Sequence, residues 1–205
     1  MPSHLTVDLK TPRPPRPMGR SRPPRPSNIL RKLRWIFGFQ RPDSSDMPRP
    51  TIRPMEAADI GRLREFVQGL SPRTAYHRLL STRMPTEGDI RRWTGADGVR
   101  ELAVIATEGS GSEERIVGVA RYALGEAKVA EFAIVLADAR QGRGVGRELL
   151  GRLIDCARER GVKRLHGVAL GTNTRMLLLG RRLGFRLRKS PEAASLTALD
   201  LTLAR

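Results

Sequence analysis

One segment constrains the fold of this 205-residue chain more than any other. An apolar strand, Val129–Ala137, is followed by the glycine-rich turn Gln141-Gly-Arg-Gly-Val-Gly146 and by a long amphipathic helix, Gly144–Arg160. A strand that is apolar on nearly every residue is buried within a sheet, and the helix has to cover that sheet with its apolar stripe. The segment therefore predicts an α/β domain.

The residues on either side extend this α/β pattern from Thr51 to the end of the chain. Apolar spacing and turn residues separate further strands from helices. The predicted strands are Thr51–Pro54, Leu102–Thr107, Ile116–Leu124, Arg164–Leu170 and Ser195–Leu203, and the predicted helices are Ala57–Leu70, Ser71–Leu80, Glu87–Trp93 and Thr174–Leu183. Because helices lie both before and between strands, we expect a mixed sheet.

The first 50 residues have a different composition. They contain 11 of the 15 prolines and 11 basic residues against 3 acidic ones, and Arg-Pro-Pro-Arg-Pro occurs twice, at 13–17 and 22–26. Proline fixes φ and removes a backbone donor, so residues 1–50 are predicted to be an extended, disordered tail before a domain at 51–205. Within the tail, residues 27–40 predict a short basic amphipathic helix that either packs on the domain or binds a partner groove or an anionic membrane.

Charge and cysteine content narrow the function. A net charge of +17 favours anionic partners such as phosphate-rich cofactors, nucleic acid, anionic lipid or acidic proteins. The single Cys156 excludes an internal disulfide and a cysteine-based zinc site, and His4, His77 and His166 are too scattered to predict a metal site. We find no apolar run of about 20 residues, no secretory signal and no base-reading motif, so we expect a cytoplasmic protein without sequence-specific nucleic-acid binding.

The glycine-rich turn predicts a diphosphate-binding site. Its glycines leave backbone N–H groups unobstructed, and the following helix adds unpaired N-terminal donors and the positive end of its dipole. The spacing differs from that of a dinucleotide-binding turn, and the Gly-Lys-Ser/Thr of a P-loop is absent. The arginines that we expect to surround the diphosphate with positive charge are Arg140, Arg143 and Arg147.

Together with other segments, Gln141-x-x-Gly144-x-Gly146 resembles the acyl-CoA diphosphate motif of the GNAT superfamily of N-acyltransferases. The supporting segments are Thr51–Ile60, Asn173 at the start of a helix, and Leu183-Gly-Phe185 at its end. The resemblance covers residues 51–205. Within the superfamily, Leu70–Tyr76 and Ala130–Val135 are most similar to the acyltransferase domain of bacterial Pat-type protein lysine acetyltransferases.

The resemblance implies a fold, a co-substrate and its contacts. The fold is a mixed, mostly antiparallel sheet with a splayed central strand pair and helices on both faces. Pantetheine is expected in the gap beside Ile134, Val135 and Leu136, with the Val135 N–H polarising the thioester carbonyl. No metal is expected. The remaining residues expected to bind acetyl-CoA are Gln141, Gly142, Arg143, Gly144, Val145, Gly146, Arg147 and Asn173.

Glu131 is the predicted general base. Acyl transfer needs an uncharged amine, and Glu131 shares one strand face with Ala133 and Val135, where apolar neighbours would raise the pKa of a carboxyl group. The resemblance places the base glutamate at the same position; the alternative is a glutamate that faces solvent or pairs with an arginine. Many GNAT enzymes also have a tyrosine that protonates the departing thiolate, but Gly180 stands there in this sequence.

These features predict an enzyme that transfers an acetyl group from acetyl-CoA to an amine by direct attack in a ternary complex. The first choice of acceptor is a protein lysine and the second a small-molecule amine. A non-catalytic acyl-CoA sensor, tethered by its tail to nucleic acid or membrane, stays open as a third function. Of the remaining polar residues, we expect Cys156 and His166 in the core, while Asn173 either contacts the cofactor or only caps its helix.

Overall fold

The computed structural model describes residues 48–79, 86–94 and 100–203. In this part of the chain seven strands form one sheet in the order β1-β2-β3-β4-β5-β7-β6. Every neighbouring pair is antiparallel except β4 and β5, which are parallel. The strands are β1 (Thr51–Pro54), β2 (Glu101–Glu108), β3 (Arg115–Leu124), β4 (Val129–Leu136), β5 (Arg164–Leu170), β6 (Arg186–Lys189) and β7 (Leu196–Thr202).

The described α-helices pack on both faces of this sheet, as the resemblance implied. They are α1 (Ile60–Gln68), α2 (Pro72–Leu79), α3 (Glu87–Thr94), α4 (Val145–Glu159) and α5 (Thr174–Arg182). In the described ranges, no helix combines the length and the apolar composition that crossing a bilayer requires.

The larger core lies on the face that α4 covers, which we call the α4 face. Leu149, Leu150 and Leu153 of α4 are fully buried against apolar side chains of the sheet, including Phe132 of β4 and Leu165 of β5. Their spacing of one, three and four residues produces a single apolar stripe along the helix. The helix that follows the glycine-rich turn is therefore held rigidly across the centre of the sheet.

The smaller core lies on the opposite face, which we call the α1 face. Leu63, Phe66 and Val67 of α1 pack there with Ile105 of β2 and Val119 of β3. This core lies over β2, β3 and β4 and contains no residue of β5, β6 or β7.

An ion pair joins β1 to the start of α1 at this core. Both guanidinium Nη atoms of Arg53 lie 2.7 Å from the carboxylate oxygens of Asp59, which also accepts a hydrogen bond from the Glu56 N–H. The bonds from Arg53 hold the pKa of Asp59 below its usual range against the opposing effect of burial.

The predicted strands and helices after residue 50 are present, with two differences. The segment predicted as one helix from Ala57 begins with a 3-10 turn, Ala57–Asp59, before α1. The strand β6 was missed, because Arg186, Arg188 and Lys189 are exposed on a short edge strand and give no apolar alternation. The tail predicted at 1–50 and its helix at 27–40 lie outside the described residues, apart from residues 48–50.

Candidate active site

The strands β4 and β5 separate partway along their length. Their pairing runs from Val129 with Arg164 to Glu131 with His166 and then stops, although both strands continue. Residues 132–136 of β4 have no β5 partner among the described residues, while β3 stays paired with β4 as far as Leu136. A splayed central strand pair is thereby present, as the resemblance implied, and backbone groups along one edge of β4 face a gap.

The direction of the β4 backbone corrects one prediction. The Ala137 N–H donates to the Val117 carbonyl, and the β3–β4 register between Gly118 and Leu124 has no bulge. Because backbone groups alternate sides along a strand, Val135 also faces β3, whereas Ile134 and Leu136 face the gap. The Val135 N–H, predicted to polarise a thioester, is therefore on the wrong side of the strand, and the gap is lined by its two neighbours.

The glycine-rich turn lies where β4 ends and α4 begins. Gly142 and Gly144 have φ of 76° and 87°, a region that favours glycine, and a Cβ at either position would meet no atom within 4 Å. In the described part of the chain, the N–H groups of residues 142–146 have no hydrogen-bond acceptor. Open space and unpaired donors at the N-terminus of a long helix form a site suited to an anion.

The arginines around the turn have different surroundings. Arg143 has a buried Nη1 atom without a hydrogen-bond partner in the described residues, so it is available to a phosphate oxygen, and Arg147 is exposed. Arg140 was predicted to join them but is buried and forms an ion pair with Glu108 of β2, while its Nη1 lies 3.4 Å from the Pro48 carbonyl. Since this carboxylate compensates its charge, Arg140 anchors the turn to the domain and does not face a ligand.

The side chain of Gln141 connects the turn to the elements around it. Its Nε2 lies 3.1 Å from Thr74 Oγ1 in α2 and 3.2 Å from the Leu136 carbonyl, and its Oε1 accepts a hydrogen bond from Arg175 of α5 at 2.8 Å. All these contacts are within the protein. Gln141 was predicted to contact the cofactor, and in the structure its side chain holds the turn in place.

Asp138 is a second connection, which sequence reasoning missed. One of its carboxylate oxygens accepts hydrogen bonds from the hydroxyls of Thr74, at 2.8 Å, and Ser71, at 3.0 Å. Burial raises the pKa of Asp138, but these hydrogen bonds more than reverse the effect, so the group is ionised near neutral pH. The start of α2 is thus fixed to the segment between β4 and the glycine-rich turn.

Glu131 lies beside the start of the gap. It is on the same strand face as Ala133 and Val135, as predicted, but its side chain is exposed and not surrounded by apolar groups. The neighbouring position on β3 is Ala123, too small to cover it, and the neighbour on β5 is the polar His166. The expectation of an apolar environment was therefore wrong, whereas the position next to the gap suits a group that meets a substrate.

His166, predicted in the core, is only partly buried and has a partner that the sequence did not suggest. Its Nδ1 lies 3.0 Å from Asp200 Oδ1, and Arg188 donates to the other oxygen of Asp200 at 2.7 Å. Burial raises the pKa of Asp200, while the bonds from Arg188 and His166 lower it below its usual range. One signal was available, because Asp200 is the single charged residue of the strand β7.

Two residues singled out in the sequence, Asn173 and Gly180, lie at the start of α5 and within it. Asn173 caps the helix, since its Oδ1 accepts a hydrogen bond from the Met176 N–H at 3.2 Å, so capping accounts for this side chain. A Cβ at Gly180 would lie 2.6 Å from a methyl group of Leu199. The position faces the core, so it has no room for the tyrosine found in many GNAT enzymes.

Comparison with known families and proteins agrees with this geometry. Residues 49–186 match the family described as the acetyltransferase (GNAT) domain. The acetyltransferase PA5475 of Pseudomonas aeruginosa is 33% identical over 150 residues, covering 69% of this chain and 77% of that protein. The acetyltransferase Pat of Mycolicibacterium smegmatis is 31% identical over 135 residues, covering 65% of this chain but only 40% of Pat.

Solved structures show the same fold. The GNAT domain of S. lividans PAT superposes with a TM-score of 0.68 at 28% identity, covering 74% of this chain and 89% of that domain. The acetyltransferase yncA of Salmonella typhimurium, solved with its cofactor acetyl-CoA, superposes with a TM-score of 0.64 at 22% identity, covering 77% of this chain and 96% of yncA. At that identity the second likeness is one of fold.

Proposed function

Because the chain belongs to the GNAT acetyltransferase family, we propose that it transfers the acetyl group of acetyl-CoA to a primary amine by direct attack in a ternary complex. One observation carries the proposal: a glycine-rich turn with unpaired N–H groups lies at the end of β4, whose edge is exposed beyond Glu131. The turn suits the diphosphate and the strand edge suits the pantetheine arm, so the two together match an acyl-CoA.

The diphosphate is assigned to the N–H groups of residues 142–146. Arg143 and Arg147 supply positive charge there, and the buried unpaired Nη1 of Arg143 supports direct contact with a phosphate oxygen. The N-terminus of α4 contributes the positive end of its dipole. Val145 and Gly146 contribute only backbone groups, because both residues are buried in the first turn of α4.

The pantetheine arm is assigned to the gap between β4 and β5. Ile134 and Leu136 direct their backbone groups into this gap. The Leu136 carbonyl already accepts a hydrogen bond from the side chain of Gln141. The Leu136 and Ile134 N–H groups are therefore the donors that pair with the arm or polarise the thioester carbonyl. In this assignment the backbone of Val135 pairs with β3, and the side chain of Asn173 caps α5.

Glu131 is assigned as the general base. An ammonium group has no lone pair, so the acceptor must lose a proton before it attacks the thioester. The Glu131 carboxylate is exposed and lies at the last paired position before the gap, where an amine from solvent can reach both it and the acetyl group. Acetyl-CoA supplies the acetyl group, and its sulfur is the leaving group.

A protein lysine is the proposed acceptor. The resemblance of Leu70–Tyr76 and Ala130–Val135 to Pat-type protein lysine acetyltransferases supports this choice, as does the 31% identity to the acetyltransferase Pat of Mycolicibacterium smegmatis. The exposure of Glu131 also supports it, since a side chain carried by a large protein needs an open approach. A small-molecule amine is the alternative.

The test measures release of CoA thiol from acetyl-CoA with lysine-containing peptides and with a panel of small amines. We expect release with peptides, together with an added mass of one acetyl group on the peptide. Calorimetry on the same protein measures acetyl-CoA affinity. Binding without thiol release for any amine would contradict acetyl transfer and favour an acyl-CoA sensor, and release with small amines alone would reverse the choice of acceptor.

A further inference from the structure

Three polar side chains form a row across the α1 face where β4 and β5 begin to separate. Glu131 in β4 is paired with His166 in β5, and His166 is paired with Asp200 in β7. Directly paired residues project from the same face, and neighbouring strands lie about 4.8 Å apart, so the three side chains are immediate neighbours. In the row Glu131–His166–Asp200, the proposed base thus lies beside two groups to which the proposed function assigns no role.

The contact between His166 and Asp200 determines which ring nitrogen holds the hydrogen. An ionised carboxylate only accepts hydrogen bonds, so the hydrogen between Nδ1 and Asp200 Oδ1, 3.0 Å apart, belongs to Nδ1. In the neutral form of the ring, the lone pair is then on Nε2. Arg188 donates to the other carboxylate oxygen at 2.7 Å and keeps Asp200 ionised and in place. An imidazole held in this way has one nitrogen directed by a carboxylate and the other ready to accept a proton.

The position of His166 connects this arrangement to the site. Glu131 and His166 are the last paired residues before the gap, so the imidazole lies at the same level of the sheet as the proposed base. The His166 side chain is 36% exposed, so the ring is accessible from solvent. On the strands of this face, the charged groups around His166 are Glu131, Asp200, Arg164, Arg186 and Arg188.

Building on the proposed function, we propose that His166 is a second proton-transfer residue of the acetyl transfer, positioned by Asp200. The acceptor nitrogen enters as an ammonium and leaves as an amide, so it loses two protons. Glu131 takes the first and makes the amine a nucleophile. As the bond from nitrogen to the acetyl carbon forms and the bond from carbon to sulfur breaks, His166 Nε2 takes the second proton and returns it to the sulfur, which leaves as a thiol.

Two features of the chain make a second proton carrier useful. Glu131 holds only one proton at a time, and Gly180 faces the core, where no acid fits to protonate the leaving sulfur. A histidine serves both steps because imidazole gains and loses a proton near neutral pH. Asp200 acts through His166 and is a positioning residue.

The kinetic test compares His166→Gln, His166→Ala and Arg186→Gln with the unaltered protein, using a peptide acceptor. Arg186 is the control, because it is exposed and lies opposite Asp200 on the far side from His166. We expect kcat of both His166 variants to fall by about 100-fold with an unchanged KM for acetyl-CoA, and Arg186→Gln to stay within twofold. Added imidazole should raise the rate of His166→Ala at least tenfold without affecting His166→Gln.

A second readout needs no acetyl-CoA. Imidazole ¹⁵N NMR of the full chain, with the signal assigned by its loss in His166→Gln, should show hydrogen on Nδ1 at pH values where the ring is neutral. Asp200→Asn should mix the two tautomers and lower kcat by a smaller factor than His166→Ala. Melting temperatures of all variants within a few degrees of the original show that the losses are chemical.

Three results would overturn the inference: kcat of His166→Gln within threefold of the unaltered protein, a failure of imidazole to rescue His166→Ala, or a neutral ring with its hydrogen on Nε2. These outcomes leave the proposed function intact, because the unaltered protein still releases thiol. If the unaltered protein releases no thiol with any amine, the proposed function fails and the role of His166 falls with it.

Discussion

The α1 face of the sheet differs between its two halves. Across β2 and β3 this face is packed under α1 and α3, with Ile105 and Val119 buried in the core. Across β5, β7 and β6 the same face carries Arg164, His166 and Asp200 and contributes nothing to that core. One half is a packed apolar core, and the other carries the polar groups to which we assign a role in the chemistry. Glu131 stands at the boundary between them.

The difference shows how a packed half of the sheet holds an unpaired strand edge in position. The strand β4 belongs to both halves: β3 pairs with it along its full length, whereas β5 leaves it after Glu131. Because one edge of β4 is hydrogen-bonded to β3 in the packed half, its other edge can stay unpaired while the strand keeps its position in the sheet. Substitutions in the two halves should accordingly affect different properties, stability in the first and turnover or binding at the boundary.

The largest effect is expected from cutting a large side chain in the packed half. Ile105→Ala removes a fully buried side chain beneath α1, so we expect the free energy of unfolding to fall by about 2 to 5 kcal/mol. The matched variant Val168→Ala, on the same face in β5 but only partly buried, should cost about 1 kcal/mol, because fewer buried methyl groups are lost. Urea titration of both proteins measures the difference, and equal losses would contradict the comparison.

The next effect concerns the boundary. Glu131→Gln keeps the shape of the side chain and removes the base, so kcat should fall about 100-fold near pH 7 while acetyl-CoA affinity stays the same. Steady-state kinetics and calorimetry measure the two quantities. The control is Glu159→Gln at the exposed end of α4, which should keep full activity. If Glu131→Gln kept the full kcat, a different group would have to be the general base.

A smaller effect is expected at the glycine-rich turn. Gly144→Glu adds bulk and negative charge where we place the diphosphate, so acetyl-CoA affinity should drop at least tenfold, about 1.4 kcal/mol. Gly111→Glu is the matched control, because Gly111 also has a positive φ and open space around it but lies in the loop between β2 and β3. If calorimetry gave the same affinity for both folded variants, the turn would not belong to the site.

The smallest effect on the domain is expected from deleting residues 1–46. This segment is rich in proline and arginine and, outside residues 27–40, has few apolar residues, so neither half of the sheet should depend on it. The melting temperature should stay within a few degrees and acetyl-CoA affinity should not change. Binding to anionic vesicles in low salt should be lost, because charge-driven contacts weaken with ionic strength. A large drop in melting temperature would instead mean that apolar residues of 27–40 pack on the domain.

Local pattern was enough to predict most of the fold and part of the site. The strand, turn and helix from Val129 to Arg160 were recognisable in the sequence. The spacing of apolar residues and of glycines that identifies them involves only residues close together in the chain. Glu131 could be singled out for the same reason, as a carboxylate in an apolar strand. The surroundings of these residues were harder to predict, since Arg140 turned out to pair with Glu108 and Glu131 to be exposed.

The sequence by itself determined the α/β class, the glycine-rich turn and the face on which Glu131 lies, because each depends on residues within one helical turn or one strand. Only the tertiary structure decided that β4 leaves β5 after Glu131, that Val135 faces β3, and that Asp200 meets His166. The physical reason is that strand order, register and contacts between residues 34 apart follow from packing of the whole sheet, which no local pattern records.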